Sequence, residues 1–201
     1  MLNSIITLCI IFLFVIGYWY NNKDKRPYLL SKYIPPGSTV LDIGTGDGYN
    51  AREISKKCRV TSIDIVNEGI YWKPLIYNGK KLPFKNSSFD YVTCSFILHH
   101  APNHMDLLKE IRRVCKKGVV IFENTPENKM QRYFTQKHEN QSIWQRCTGC
   151  MKSIESWLDV WKQLGFKIHK IEKFPWYFEF PFASPAPYFY PVTNTLFVLG
   201  K

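Results

Sequence analysis

The chain has 201 residues, with 27 basic and 16 acidic side chains and a formal net charge of +11. Apolar residues make up 45% and aromatic residues 16%, which excludes a disordered chain, while 11 Gly and 12 Pro exclude a collagen-like one. The length predicts one ordinary domain with an appendage. Six Cys in a chain of this length do not indicate a disulfide framework.

The appendage is an apolar run over residues 2–20, which contains no charged side chain. As a helix it would be about 28 Å long, enough to cross a hydrocarbon core. Aromatic rings that favour the membrane interface close the run at Tyr18, Trp19 and Tyr20. It lacks the basic start and small-residue cleavage site of a signal peptide, and core helices are rarely apolar on every side. We therefore predict a transmembrane anchor over residues 2–20.

A basic linker is predicted over residues 21–37, because Lys23, Lys25 and Arg26 follow the apolar run. Positive charge is typical of the cytoplasmic flank of a membrane-spanning helix. We therefore expect a single-pass membrane protein whose remaining domain, residues 38–201, faces the cytoplasm. Reduced thiols in that compartment agree with Cys residues of no obvious pairing.

Short apolar runs and amphipathic stretches alternate through the domain and predict an α/β fold with a mainly parallel sheet. No helix separates the last two strands, so these are expected to pair antiparallel. The polar stretch over about 125–152 is predicted to be an irregular surface insertion. The predicted strands are 39–43, 59–65, 75–78, 89–96, 119–122, 166–171 and 193–199, and the predicted helices are 47–57, 104–115 and 153–164.

A glycine-rich turn follows the first strand in the sequence VLDIGTGDGY, residues 40–49. Glycines permit a tight turn and let a ligand approach the main chain, and the helix that follows offers amide donors. Ligands of open α/β sheets bind at such carboxyl ends of strands. Tyr49 occupies the third glycine position of the dinucleotide-binding pattern, which the chain therefore does not match.

This acid-x-G-x-G-x-G pattern resembles the first motif of class I methyltransferases that use S-adenosylmethionine (SAM). Asp64 ends the second strand, where an acid can accept hydrogen bonds from ribose hydroxyls. The segment 78–84 (NGKKLPF) resembles the family's adenine-binding segment, with Asn78 in place of an acid. Residues 87–100 and 107–118 resemble the fourth motif and the helix before the fifth strand. The subgroup it most resembles is type 11, which includes quinone and other small-molecule methyltransferases.

The resemblance implies a Rossmann-like class I methyltransferase fold with an antiparallel last strand, and SAM as the cofactor. The chain departs from the family after the second strand, where the usual helix is expected to be missing or a single turn, because only ten residues are available and Pro74 interrupts them. The residues implied to bind the cofactor are Asp42, Gly44, Gly46, Gly48, Asp64, Ile65, Asn78, Gly79, Ser95 and Phe96.

Two histidines, His99 and His100, follow the fourth predicted strand at the expected mouth of the pocket. Imidazole titrates near neutrality, so one of them is a candidate general base or positioning residue for the acceptor. The alternative is structural: one ring packs against the sheet and the other caps the following turn.

Three further features have structural alternatives. Cys147, Cys150 and His138 form a weak candidate metal set, but no second Cys pair is present and we predict no metal. Basic residues exceed acidic ones between 130 and 173, which fits nucleic acid, anionic lipid or simply a solvated surface. The aromatic tail over 174–191 is expected to pack over the sheet edge near the acceptor pocket, with a lid or a membrane contact as alternatives.

Together these features predict a membrane-anchored methyltransferase that moves a methyl group from SAM to a small or lipophilic acceptor. Two alternatives remain open: an enzyme acting on RNA or protein, and a non-catalytic SAM-fold scaffold at a membrane. Asn78 and the shortened connection after the second strand favour the scaffold, while the intact glycines and Asp64 count against it.

Overall fold

A computed structural model describes residues 25–141, 150–174 and 192–201. The strands are β1 Thr39–Ile43, β2 Arg59–Asp64, β3 Leu75–Ile76, β4 Phe89–Ser95, β5 Cys115–Asn124, β6 Lys167–Phe174 and β7 Asn194–Gly200. The helices are α1 Arg26–Lys32, α2 Tyr49–Ser55, α3 His104–Val114, α4 Lys129–Gln141 and α5 Ile154–Gln163, with a 3-10 turn at Leu98–His100.

The seven strands form one sheet in the order β3-β2-β1-β4-β5-β7-β6. Strands β1 to β5 pair in parallel, and β7 runs antiparallel to both β5 and β6. This confirms the predicted Rossmann-like sheet with an antiparallel last strand. The strand order reverses between β1 and β4, which opens a crevice at their carboxyl ends where ligands of such sheets bind.

Helices cover both faces of the sheet. On one face, α3 and α5 bury Ile111, Trp157 and Trp161 against β4, β5 and β7. The two indole rings stack with centroids 5.0 Å apart. On the other face, α1 and α2 bury Leu30 and Ile54 against the central strands. This burial of apolar area on both faces holds the crevice in a fixed frame.

The segment predicted to be a basic linker contains a helix that belongs to the domain. Pro27 lies in the first turn of α1, a position that suits its fixed φ and missing N–H. Leu29, Leu30 and Ile34 are buried in the core. The linker prediction is therefore corrected from Arg26 onward, because three apolar side chains among basic neighbours are too few to produce a visible period.

The stretch predicted to be irregular contains the helix α4. Polar side chains make several of its contacts. The Oδ1 atom of Asn128, just before the helix, accepts the Gln131 N–H, and the side-chain amide of Gln131 donates to the Thr193 hydroxyl. Gln131 and Thr135 are buried. Because the buried side of α4 is partly polar, hydrophobic periodicity did not predict it, and the insertion prediction is corrected over this helix.

The connection from β2 to β3, residues 65–74, contains no helix, as predicted. Its main chain is fastened to the glycine turn, since the N–H groups of Ile70 and Tyr71 both donate to the Asp47 carbonyl. The guanidinium carbon of Arg52 lies 4.5 Å from the Tyr71 ring centroid and 5.0 Å from that of Tyr49. The shortened connection therefore packs directly on the start of α2.

The predicted anchor over residues 2–20 lies outside the described residues, and so does nearly all of the aromatic tail. Across the three described stretches, no helix has both the length and the apolar character needed to span a bilayer.

Candidate active site

A cavity of about 430 Å³ opens at the carboxyl ends of β1, β2 and β4. It brings together nine of the twelve residues predicted to bind the cofactor or act as a base, whereas Asp42, Gly48 and His99 do not line it. The nine are Gly44, Gly46, Asp64, Ile65, Asn78, Gly79, Ser95, Phe96 and His100.

The glycine turn presents bare main chain to the cavity. A Cβ on Gly44 would lie 2.1 Å from the Ile97 Cγ2 atom, and this glycine has φ +69°. At Gly46 a Cβ would meet nothing within 4 Å. Gly44 therefore lets the turns after β1 and β4 touch, while Gly46 leaves open space in which a ligand can approach the backbone.

Gly48 has a packing role that was not predicted. A Cβ there would lie 2.4 Å from the Trp72 carbonyl oxygen. The residue allows the β2–β3 connection to pack against the start of α2, and its predicted contact with the cofactor stays a prediction.

Asp42 is buried at β1 and supports the glycine turn through hydrogen bonds. Its carboxylate is 2% exposed and accepts hydrogen bonds from the hydroxyls of Thr45, at 2.6 Å, and Thr93, at 2.7 Å. Burial raises the pKa of Asp42 to about 6, an effect partly offset by these two hydroxyls. The predicted cofactor contact is therefore corrected to a buried bracing role.

Asp64 joins the end of β2 to the glycine turn and faces the cavity. Its Oδ2 atom accepts the Gly46 N–H at 2.9 Å, and its Oδ1 atom accepts the Ile65 N–H at 2.7 Å. A carboxylate has about four lone-pair sites. The Oδ1 atom also accepts the Val66 N–H at 3.4 Å. Asp64 therefore retains one open acceptor site for a ribose hydroxyl, and a second hydroxyl would replace the long Val66 contact.

Asn78 and Gly79 line the side of the cavity where adenine was expected. The side-chain Oδ1 atom of Asn78 already accepts the Lys80 N–H at 3.0 Å, in an Asx turn. A second lone pair remains on that oxygen. The predicted adenine contact by Asn78 therefore depends on this second lone pair.

Ser95 provides an orphaned polar atom at the cavity. Its Oγ atom is buried and has no hydrogen-bond partner within the described part of the chain. Buried hydroxyls normally have a partner. Together with Asp64 and the open main chain at Gly46, this hydroxyl makes the cavity fit a polar nucleoside with a charged tail.

The two histidines take different roles. His99 is 3% exposed, and its Nδ1 atom lies 2.6 Å from the Oε2 atom of Glu123, which is fully buried. The other Glu123 oxygen accepts the Leu98 N–H at 2.8 Å. Of the two histidines, His100 lines the cavity, whereas His99 packs inward, so that the positioning role remains a prediction for His99.

The sequence analysis did not single out several residues of the site. Glu123 is one of them, although an acid at the end of a strand was the signal that did identify Asp64. The other side chains lie after the ends of β2, β3 and β4, so strand ends alone would have indicated most of them. The cavity wall also includes Glu68, Tyr77, Lys80, Ile97, Pro102, Asn103 and Leu107.

The candidate metal set receives no support from the described residues. Cys147 and the side chain of His138 lie outside them, and Cys150 forms part of a disulfide, so it offers no thiolate. The expectation of reduced, unpaired cysteines is therefore corrected at Cys150. No group of three or more His, Cys, Asp or Glu residues in the described ranges could hold a metal ion. Cys94 is a buried free thiol whose pKa burial raises well above its usual value, as expected of a structural cysteine.

Residues 18–171 match the family model of a methyltransferase domain. The chain belongs to this methyltransferase family. The match confirms the predicted resemblance to class I SAM-dependent methyltransferases, and with it SAM as the cofactor of the family. It also includes α1, in agreement with the packing of that helix on the domain.

Among characterised relatives, the methyltransferase domain is similar to the demethylmenaquinone methyltransferase of Listeria monocytogenes. The two are 31% identical over 121 residues, which cover 52% of this chain and 51% of that protein. The chain thus spans about half the length of the demethylmenaquinone methyltransferases it matches. An uncharacterized protein of Methanocaldococcus jannaschii is 28% identical over 148 residues, covering 69% of this chain and 68% of that protein.

Solved structures show the same fold. A putative methyltransferase from Bacillus halodurans superposes with a TM-score of 0.67 at 19% identity, covering 87% of this chain and 97% of that one. A SAM-dependent methyltransferase from Aquifex aeolicus gives 0.59 at 15% identity, covering 92% and 97%. At these identities the likeness supports the sheet order and helix placement.

Proposed function

We propose that this methyltransferase domain binds SAM in the cavity and transfers its methyl group to a small lipophilic acceptor of the quinone class. The observation that carries the proposal is the mixed lining of the cavity. It combines the polar groups of Asp64 and Ser95 with the apolar side chains of Ile97, Pro102 and Leu107. The similarity to demethylmenaquinone methyltransferases over about half their length supports the acceptor class.

The polar groups would hold the cofactor. Asp64 would accept hydrogen bonds from the ribose, Asn78 and Gly79 would flank the adenine, and the main chain at Gly46 would receive the charged tail. The Ser95 hydroxyl would gain the partner that it lacks. The bound cofactor supplies a methyl group already activated on a sulfonium, so the chain mainly has to hold the acceptor close and in line with it.

The apolar side chains would bind the acceptor and exclude water, and His100 would take a proton from it. The acceptor gains a methyl group and gives up a proton, which the imidazole of His100 can accept near neutral pH. The centroids of the His99 and His100 rings lie 4.1 Å apart. The hydrogen bond to Glu123 holds the His99 ring in place. His99 and Glu123 would thus act as positioning residues.

The membrane anchor belongs to the same proposal. Residues 2–20 would cross the bilayer once, and a short basic linker would lead to the domain, which begins at Arg26. A lipophilic acceptor is concentrated in the bilayer, so an anchor places the enzyme beside its substrate.

Calorimetric titration of SAM into the full chain, reconstituted in lipid nanodiscs, tests the cofactor site. Asp64→Ala should weaken binding by at least about tenfold, about 1.4 kcal/mol. Asp106→Ala is the matched control, because this exposed acid on α3 contacts only Lys109 among the described ion pairs. Equal affinities for both variants and the native chain would contradict the proposed site.

A second assay tests the acceptor. Membrane extract is incubated with the enzyme and SAM labelled on its methyl group, and the products are partitioned between phases. Label in the organic phase supports a lipophilic acceptor, whereas label confined to RNA or protein would replace it with the alternative enzyme function. In the same assay His100→Ala should lower kcat and remove the acidic limb of the pH profile, while exposed His169→Ala should leave both unchanged.

A further inference from the structure

Large apolar side chains are exposed along a segment that begins at the cavity wall. They belong to the segment 65–76, which leaves the carboxyl end of β2 and ends in β3. Ile65 itself lines the cavity. The exposed fractions are Ile65 39%, Ile70 80%, Tyr71 47%, Leu75 52% and Ile76 54%. Exposed apolar side chains that cluster in this way are typical of an interaction surface.

This apolar segment is uncovered for two reasons in the described fold. No helix lies between β2 and β3 to pack over it. Strand β3 is also at the edge of the sheet, and both of its residues are exposed. The main chain of the segment is nevertheless held in place, because Ile70 and Tyr71 donate to the Asp47 carbonyl.

Basic side chains surround the apolar ones. Lys73, Lys80 and Lys81 are exposed within and just after the segment, against the exposed acid Glu68. This mixture of exposed apolar and cationic groups matches the interface of a bilayer that carries anionic lipids.

The start of the described chain lies at the same opening. The Arg26 guanidinium carbon is 5.8 Å from the centroid of the Phe96 ring, and Phe96 lines the cavity. Only residues 21–24 separate the end of the proposed anchor from Lys25, and the five Cα–Cα steps from Tyr20 to Lys25 span at most about 18 Å. An anchored chain therefore has the cavity rim within a short distance of the bilayer.

We propose that the rim formed by residues 65–81 and the start of α1 is a membrane-docking surface that seats the cavity mouth on an anionic bilayer. This rests on the proposed function, which supplies the anchor and the lipophilic acceptor. Ile70 and Tyr71 insert among the headgroups, and Lys73 and Lys81 contact lipid phosphates. The acceptor then enters the cavity from the lipid without crossing water.

Depth measurements on the full chain in vesicles test the docking surface. Ile70→Cys carries an environment-sensitive fluorophore, and Ile168→Cys, 38% exposed at the start of β6, is the matched control. Background from native thiols is measured on the unsubstituted chain. In vesicles with phosphatidylglycerol, lipid-borne quenchers should reduce the Ile70 signal at least about twofold more than the Ile168 signal, and high salt should lessen the difference.

The outcomes separate the two proposals. Release of the chain from vesicles by alkaline carbonate would contradict the anchor and hence the proposed function. A retained chain with equal quenching at both sites would overturn only the docking surface. Protection of the Ile70 probe from aqueous iodide, with no lipid quenching, would assign the surface to a protein partner or a second copy and would also overturn it.

A kinetic variant provides a second measure. Ile70→Glu combined with Lys73→Glu should raise the KM for a vesicle-borne acceptor by about fivefold. The affinity for SAM, measured in detergent without vesicles, should stay unchanged, because neither side chain lines the cavity. Ile168→Glu should change neither value. An unchanged KM in the double variant would contradict docking.

Discussion

Two turns meet at the cavity, and they are built in opposite ways. The turn after β1 offers main chain at Gly44 and Gly46, braced by carboxylates. The turn after β4 offers side chains, notably Ile97 and His100, and is held by the buried Glu123. A turn of main chain has little chemistry to vary and suits a constant ligand such as the cofactor. A turn of side chains can change its chemistry with the acceptor while its buried support stays the same.

The contact between the two turns is where the largest effect is expected. Gly44→Ala would place a Cβ 2.1 Å from Ile97 at φ +69°. Overpacking together with a left-handed backbone should lower the free energy of unfolding by about 3 to 5 kcal/mol and abolish SAM binding. Urea unfolding and calorimetry measure the two effects.

Gly37→Ala is the matched control for this prediction. Gly37 has φ +79°, but a Cβ there would meet nothing within 4 Å. Only the backbone strain remains, so we expect a loss of about 1 kcal/mol and unchanged SAM affinity. Equal losses in the two variants would show that the turns do not depend on their close contact.

The second prediction concerns the support of the histidine turn. Glu123→Ala leaves the buried Leu98 N–H and His99 without their acceptor, so the free energy of unfolding should fall by about 2 to 4 kcal/mol. SAM affinity should change much less than kcat, because the glycine turn is not touched. Urea unfolding, calorimetry and steady-state kinetics check these expectations.

Glu127→Ala is the control for Glu123, since it removes an exposed acid paired with Lys173. An exposed ion pair of this kind contributes at most about 1 kcal/mol. If the Glu123 variant is as stable as this control, Glu123 does not hold the turn after β4 in place.

The smallest effect is expected from the carboxylate that braces the glycine turn. The pKa of Asp42 is raised from 3.8 to about 6 in the folded state, so the folded chain holds the proton more tightly than the unfolded chain. The resulting stability is fully present below about pH 4 and is lost as the pH rises through about 6. As the pH rises from 4 to 7, the free energy of unfolding of Asp42→Asn should therefore increase by about 2 kcal/mol relative to that of the native chain.

Urea unfolding of both proteins at pH 4.5, 6 and 7.5 follows this difference. The free energy of unfolding of Asp90→Asn, relative to that of the native chain, should instead fall as the pH rises. The reason is that hydrogen bonds from Thr39 and then Lys117 lower the pKa of Asp90. Its stabilising effect is present at neutral pH and is lost on acidification. A difference between Asp42→Asn and the native chain that stays constant with pH would contradict the buried, partly compensated carboxylate.

Local sequence signals predicted most of the fold. Strand β1 has the predicted bounds, and the sheet was predicted from the alternation of elements. Helices α1 and α4 were missed because the first is short and the second buries the polar residues Gln131 and Thr135. Strand β5 begins at Cys115, earlier than predicted, because exposed Lys116 and Lys117 interrupt its apolar run.

The sequence predicted which residues belong to the site, but not which way the side chains of Asp42 and His99 face. A motif gives the order of residues, whereas the facing of Asp42 depends on the register between β1 and β4, which places it opposite Thr93. His99 likewise turns inward because Glu123, from the distant β5, accepts its hydrogen bond. Such pairings between separate strands cannot be seen in a local pattern.

The attachment of the β2–β3 connection to the glycine turn has a thermodynamic consequence. Asp47 receives two N–H groups from the connection, and Arg52 lies over Tyr71. The glycine turn and the β2–β3 connection are therefore joined, so a ligand bound at the turn and a bilayer that contacts the connection both act on the same part of the structure. If docking changes the affinity for the cofactor by some factor, cofactor binding must change the affinity for the bilayer by the same factor. Cofactor supply and time spent at the bilayer would thereby regulate each other.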